Sequence, residues 1–417
     1  MIAPAPQVDV LIVGSGPAGL ATAIELRRLG VARVLVVERE SDAGGVPRHA
    51  NHIGFGLRDL RRLFTGPHYA QHYVSRAQRA GVELRTQTTV TDWSSDDTVR
   101  LTSPAGLDTV TARAVVLATG CRERPRAARL IPGDRPLGVL TTGALQQAVY
   151  LHRQSVGRRA VVVGAEHVSF SAVLTLAHGG ATTVAMLTEH PRHQTYLPYK
   201  WLSATRRRVP ILVSHRITQI IGRHRVEAVE VTDTRTGATR WIECDTVIFT
   251  GDWLPDHELA RRGGLAMDPA TRAPRVDCSL RTSIRGVFAA GNLLHAAETA
   301  DIAALSGRHA ARAVTTFLES GRWCERPPLP LICAPPLYWI SPSAIGGADQ
   351  RPPRDRFTAR VREFCDDADL SVRQGTRVLW RQRYRRLVPT LPLHVSADWL
   401  DMVDPNGESI TLQLSAS

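Results

Sequence analysis

Lysine is almost absent from this chain: of 52 basic residues only Lys200 is a lysine, and the rest are arginine. Against 39 acidic residues they leave a formal net charge of +13. A nucleic-acid-binding surface would gather such charge into a stripe with aromatic side chains between the basic ones. Aromatic residues make up only 6% of the chain, and arginines cluster only at Arg206–Arg208 and Arg381–Arg386. The charge therefore reads as solvated surface, and no nucleic-acid partner is expected. Cysteine is also sparse. Cys121, Cys244, Cys278, Cys324, Cys333 and Cys365 lie far apart, with no Cys-x-x-Cys among them. This excludes the usual redox dithiol and a sequence-clustered metal site, so no metal is expected. Long apolar runs are missing too: the longest region, near the N-terminus, is interrupted by glycines and Glu25, so no transmembrane segment is expected. The short Ala/Pro start carries no basic leader, which makes a reducing cytoplasm the expected compartment.

What remains is ordinary globular composition, 43% hydrophobic and 22% charged over 417 residues, enough for two or three domains. Its most informative segment runs from Val8 through Gly14, Gly16 and Gly19 into a helix pattern, then through the apolar run Val34–Val37 to Glu38. This is a complete βαβ dinucleotide signature. Gly14 permits the tight turn, Gly16 lets the backbone approach a pyrophosphate, and Gly19 allows close packing of helix on strand. Glu38, 19 residues past Gly19, is placed to accept hydrogen bonds from a ribose.

A second, damaged copy begins at Ala160, and its three glycine positions read Gly164, Glu166 and Ser169. A carboxylate at the middle position opposes a pyrophosphate through bulk and like charge. Glu189, after the run Thr183–Leu187, could still accept a ribose hydroxyl, so NAD(P)H use is left open. Between the copies the chain closes a first segment on Ala114–Leu117, Ala118, Thr119 and Gly120. Beyond the second copy, Thr282–Asn292 restores the first theme, and a helical stretch follows from Asp301 to Leu318. One nucleotide domain is thus inserted in another. Pro327–Pro330 and Pro335–Pro336 read as a stiff linker, and the tail from about 336 alternates apolar and polar residues in short runs, as in a small β-rich domain.

With these motifs the chain resembles the flavoproteins with two dinucleotide-binding domains, a superfamily that includes thioredoxin reductase and disulfide reductases. The segments Gly44–His49, Ala118–Arg126 and Pro132–Gly143 further resemble the FAD subunits of opine oxidases, hydrogen cyanide synthase, dye-linked amino-acid dehydrogenases and sarcosine oxidase α chains. The resemblance implies an α/β fold. Residues 1–125 and 276–325 would form a discontinuous FAD-binding Rossmann-like domain, 126–275 an inserted NAD(P)-type Rossmann-like domain, and 326–417 the β-rich C-terminal domain. It also implies FAD as cofactor. Gly14, Gly16, Pro17, Ala18, Gly19 and Glu38 would hold its adenosine diphosphate half, with Gly44, Gly45 and Arg48 beside them and Ala118, Thr119 and Gly120 on the return strand. Gly291 would approach the pyrophosphate or ribityl chain. Asn292 stands where the superfamily carries Asp, and its amide oxygen can accept the same ribityl hydrogen bond. A helix start near Thr299 would face the flavin pyrimidine with free N–H groups.

Amine oxidation at a flavin needs a neutral substrate nitrogen, and hence a base or polar pocket. The catalytic candidates are His295 and Glu298, then His49, with His52 and Asp301 as further possibilities; Arg48 and Arg122 could clamp a substrate carboxylate. Cys121 reads as a packed small residue. Three functions follow: an FAD-dependent dehydrogenase or oxidase of an amine or amino acid, an NAD(P)H-dependent flavoprotein reductase of an external acceptor, or a subunit with structural FAD that docks a catalytic partner. All three allow a small-molecule substrate and an electron-transfer partner subunit.

Overall fold

In a computed structural model of the chain, residues 7–296, 298–323, 327–347 and 350–416 are described, Pro198, Leu202 and Ala416 by backbone alone; Cys324 lies outside this set. The chain divides into two compact units. One holds everything up to Arg48, Ile53–Cys121 and everything from Pro255 onward; the other holds His49–His52 and Arg122–Leu254.

The first unit is built on the strand Gln7–Val13. Val10, Leu11 and Ile12 are wholly buried, as a strand covered on both faces requires. It pairs in parallel with Val34–Val37 on one side and Gly106–Leu117 on the other, and Val287–Ala289 also pairs in parallel with Gly106–Leu117. The nucleotide-loop helix Pro17–Arg28 packs against the long helix Ala300–Ser320. Their approach is close because the long helix buries a seam of small residues, Ala303, Ala304, Gly307, Ala310 and Ala311. A Cβ at Gly307 would collide with the Ala18 carbonyl oxygen, and the Thr22 hydroxyl bonds the Gly307 carbonyl at 3.0 Å.

The tail belongs to this same unit and consists of two sheets. Five strands run in the order Ala344–Ile345, Leu329–Cys333, Ile410–Ala416, Cys365–Gln374, Arg377–Leu387; three run Leu337–Ser341, Arg356–Val361, Leu393–Ser396. Phe357 and Trp399, both fully buried, stack in their core at 5.4 Å. The stretch expected as a linker contains a strand instead: Leu331, Ile332 and Cys333 pair with Ile410, Thr411 and Leu412, a partner some 80 residues away that local composition cannot reveal.

The second unit carries a five-stranded parallel sheet, ordered Val139–Thr141, Thr246–Phe249, Arg159–Val163, Thr182–Thr188, Ile211–Val213, and an antiparallel three-stranded sheet over His215–Glu243. The damaged loop joins Arg159–Val163 to the helix His167–His178.

Candidate functional site

The first nucleotide loop is held open by contacts that only glycine permits. Gly14 has φ +103°, and a Cβ there would come within 2.5 Å of the Ala118 carbonyl oxygen; one at Gly19 would strike the Gly14 carbonyl. Gly16 caps the helix Pro17–Arg28 and has open space where its side chain would be. No side chain caps that helix and no acid sits in its first turn, so its N–H groups and positive dipole end are open to an anion. Gly45 packs on Gly16: a Cβ at Gly45 would lie 2.7 Å from the Gly16 Cα. Arg48, beside Gly44, is held by Asp42, with its Nη2 3.1 Å from a carboxylate oxygen.

Glu38 is buried at the end of its strand and organises the loop. Its Oε2 accepts hydrogen bonds from the Ser15 amide at 3.0 Å and hydroxyl at 2.6 Å, and Oε1 accepts the Glu40 amide at 3.0 Å. A carboxylate accepts about four bonds, so one site is left for a ribose hydroxyl. On the return strand the Thr119 hydroxyl donates to the Asp256 carbonyl at 2.7 Å.

Gly291 and Asn292 follow the strand Val287–Ala289. The Gly291 amide donates to the Ser306 hydroxyl at 3.1 Å, and Gly291 lies against Ala18 of the loop helix. Asn292 donates its amide to the Glu298 carbonyl at 3.1 Å, which leaves its Oδ1 out of solvent contact and without a partner. A buried acceptor with no donor is costly, and a ligand hydroxyl would satisfy it. The open helix end, the glycine cradle and this orphaned oxygen together fit an adenine dinucleotide with a ribityl chain. Thr299 caps the long helix, and its hydroxyl bonds the carboxylate of Asp301.

His295 and Glu298 lie in the same loop, and both meet the tail. Glu298 pairs with Arg360 at 3.2 Å, their side chains only 5% and 6% exposed. Burial pushes the Glu298 carboxyl up, and Arg360 pulls it back. His295 stacks on Trp339 at 5.8 Å, its Nδ1 unpartnered; burial and Arg360 push its pKa down to about 3, so the ring is neutral. Asp301 is buried and takes the Arg58 amide at 3.1 Å. Arg360, Trp339 and Arg58 escaped sequence analysis: they carry no motif, and only strand pairing of the tail brings the first two to this loop.

His49 sits in the second unit, where its Nδ1 lies 3.3 Å from Gln146 Oε1, and Gln146 donates on to the Ser171 hydroxyl at 3.1 Å. Arg122 also falls in that unit, and Cys121 is half-buried. Glu166 caps the helix His167–His178, but its side chain turns inward beneath the loop and is 8% exposed. A Cβ at Gly164 would meet its Oε2 at 2.7 Å, one at Gly251 would collide with its Oε1, and Oε1 has no hydrogen-bond partner. Glu123, nearby and also buried, accepts the Gly143 amide at 2.7 Å. Burial pushes its carboxyl up to about 7, and the neighbouring Glu166 charge adds to the rise.

Comparison with known proteins places this geometry. Residues 8–307 match the family model described as pyridine nucleotide-disulphide oxidoreductase. The chain is 27% identical to a ferredoxin–NADP reductase of Ignicoccus hospitalis over 76% of its own length and 99% of the relative's. It is 28% identical to an opine oxidase subunit of Agrobacterium tumefaciens over 75% of its length and 66% of the relative's. The thioredoxin reductase structure of T. acidophilum shares its fold, with a TM-score of 0.64 at 22% identity over 75% of this chain and 99% of that one. No described helix is long and apolar enough to cross a membrane. With its glycine cradle, its two dinucleotide-type sheets and no Cys-x-x-Cys, this chain belongs to the pyridine nucleotide-disulphide oxidoreductase family and is an FAD-dependent oxidoreductase.

Proposed function

We propose that the protein is a dehydrogenase or oxidase of an amine or amino acid that passes its electrons to a partner, a quinone or oxygen, and does not take them from NAD(P)H. The observation that carries this reading is Glu166. In the second unit Glu166 stands at the start of the helix His167–His178, its buried carboxylate turned beneath the loop over which a nicotinamide dinucleotide would place its pyrophosphate. No side chain caps that helix, but a doubly charged pyrophosphate brought over the loop is repelled at short range by the buried carboxylate. Glu123, buried close by on the strand Cys121–Glu123, feels the Glu166 charge. The absence of a Cys-x-x-Cys argues in the same direction, since no dithiol is available to carry electrons out to a disulfide. The similarity to an opine oxidase supports the choice of substrate class.

FAD, when bound, supplies the two-electron chemistry. Gly14, Gly16, Pro17, Ala18, Gly19 and Glu38 would hold its adenosine end, Gly44, Gly45, Arg48, Ala118, Thr119 and Gly120 would border it, and Gly291 and Asn292 would hold the ribityl chain. The amide groups at Thr299 would face the ring. Glu298 is tied down by Arg360, and we assign it a positioning role that fixes the 295–301 loop. Neutral His295 Nδ1 remains able to accept a hydrogen bond from a substrate amine.

The test is turnover with an artificial dye acceptor. Amino acids and N-substituted amino acids are expected to reduce the dye with release of an oxo product, while NADH and NADPH do not. Dye reduction by NAD(P)H alone, at a rate above that of every amine, would favour the reductase reading instead.

A further inference from the structure

The three-stranded sheet of the tail presents a cationic face to the 292–301 loop. In the strand Arg356–Val361 the side chains of Phe357, Ala359 and Val361 are buried in the core, so Arg356, Thr358 and Arg360 share the opposite face. Cross-strand register adds His394 opposite Thr358 and Trp339 opposite Arg360. This face meets the loop directly, through Arg360 on Glu298 at 3.2 Å and Trp339 on His295 at 5.8 Å. Arg354, at the turn into the strand, has φ +64°, and Asp355 has φ +54°. Two successive non-glycine residues in the left-handed region cost energy, and such strain collects at functional positions. Arg58 joins from the first domain, 3.4 Å from the Thr299 hydroxyl and 3.6 Å from Asp301.

Four guanidinium groups, those of Arg58, Arg354, Arg356 and Arg360, thus gather near two carboxylates. Glu298 is engaged by Arg360 and Asp301 by Arg58; among the described residues neither Arg354 nor Arg356 has a carboxylate within ion-pair distance. Both are half-buried, where unbalanced charge is costly and an anion is welcome. All four act on His394 and, with burial, push its pKa down to about 4. Three polar atoms in these same elements, Asn292 Oδ1, His295 Nδ1 and His394 Nδ1, are out of solvent contact and unpartnered.

We propose that Arg354 and Arg356 bind the carboxylate of the substrate, beside the loop that carries His295 and Glu298. This rests on the amine-oxidising reading above and narrows it: the substrate is an amino acid or an N-substituted amino acid, not a simple amine. The tail is then part of the substrate site. Two half-buried arginines at this turn suit the bidentate geometry that guanidinium offers a carboxylate.

The test separates binding from turnover. Oxidised, flavin-loaded protein is titrated with succinate, with succinamide as the uncharged control and with inorganic phosphate, and binding is followed by calorimetry and by the flavin spectrum. Wild type is expected to bind succinate and not succinamide. Arg354→Gln and Arg356→Gln are expected to weaken succinate about tenfold or more each, the loss of a charge-assisted hydrogen bond, with flavin content unchanged. Arg381→Gln, on the five-stranded sheet, is expected to leave binding as it was. Absence of succinate binding to wild type, equal binding by the variants, or tighter binding of phosphate than of succinate would each overturn the carboxylate site. If succinate binds as expected but no amine reduces the flavin, the carboxylate site stands and the amine-oxidising reading falls.

Discussion

Replacing Glu298 with Gln removes one charge from a pair that is almost wholly out of solvent. Arg360 then keeps its bond to the Thr390 carbonyl and its place over the Trp339 ring at 5.7 Å, but loses the Glu298 charge. Leaving one member of a buried pair uncompensated costs about 3–5 kcal/mol. At roughly 2–4 °C per kcal/mol for a large domain, the melting temperature should fall by on the order of 10 °C. Replacing both partners, as Glu298→Gln with Arg360→Met, removes the stranded charge and should recover most of that loss. The assay is a thermal melt of four proteins, wild type, both single variants and the double, read as a double-mutant cycle. A single variant melting within a degree or two of wild type, or a double variant as unstable as the sum of the singles, would refute the idea that this pair locks the 295–301 loop to the tail.

Other consequences follow from separate features. Gly307→Ala places a methyl group against the Ala18 carbonyl, so the protein should purify with little flavin and a lowered melting temperature, measured by absorbance and calorimetry. Glu166→Gly empties the second loop of its carboxylate and should tighten NADH binding at least about tenfold, read by fluorescence titration. For Glu123, burial raises the folded-state pKa from 4.5 to about 7, so folding takes up a proton between those values and stability falls as pH rises through that window. Glu123→Gln should therefore stabilise by about 3 kcal/mol above pH 7 and by nothing below pH 4.5, seen as a flatter profile of melting temperature against pH.

The parts of the fold legible in the sequence were those specified locally. Glycine spacing at Gly14, Gly16 and Gly19 announces the loop, although its contacts with Ala118 and Gly45 come from elsewhere in the chain, and the apolar runs beside it declare a sheet buried on both faces. What stayed hidden depends on distant pairing. Pro330 made Leu329–Cys333 look like a linker, yet it lies in a strand joined to Ala344 and to residues from Ile410 onward. Arg356 and Arg360 alternate along a strand in plain view, but which loop they face is set by how the tail sheets pack, and no spacing encodes it. The inward turn of Glu166 was equally illegible. Its identity argued for repulsion of a phosphate; its burial between Gly164 and Gly251 comes from the surrounding loops.

The central claim, that electrons enter this flavoprotein from an amine and not from a nicotinamide, is tested most directly by an anaerobic absorbance titration of the flavin-loaded protein. NADH and NADPH are added first, then a panel of amino acids and opines. The account predicts that the flavin band persists with either nicotinamide and bleaches with one class of carboxylate-bearing amine. Bleaching within seconds of adding NADH or NADPH would contradict it.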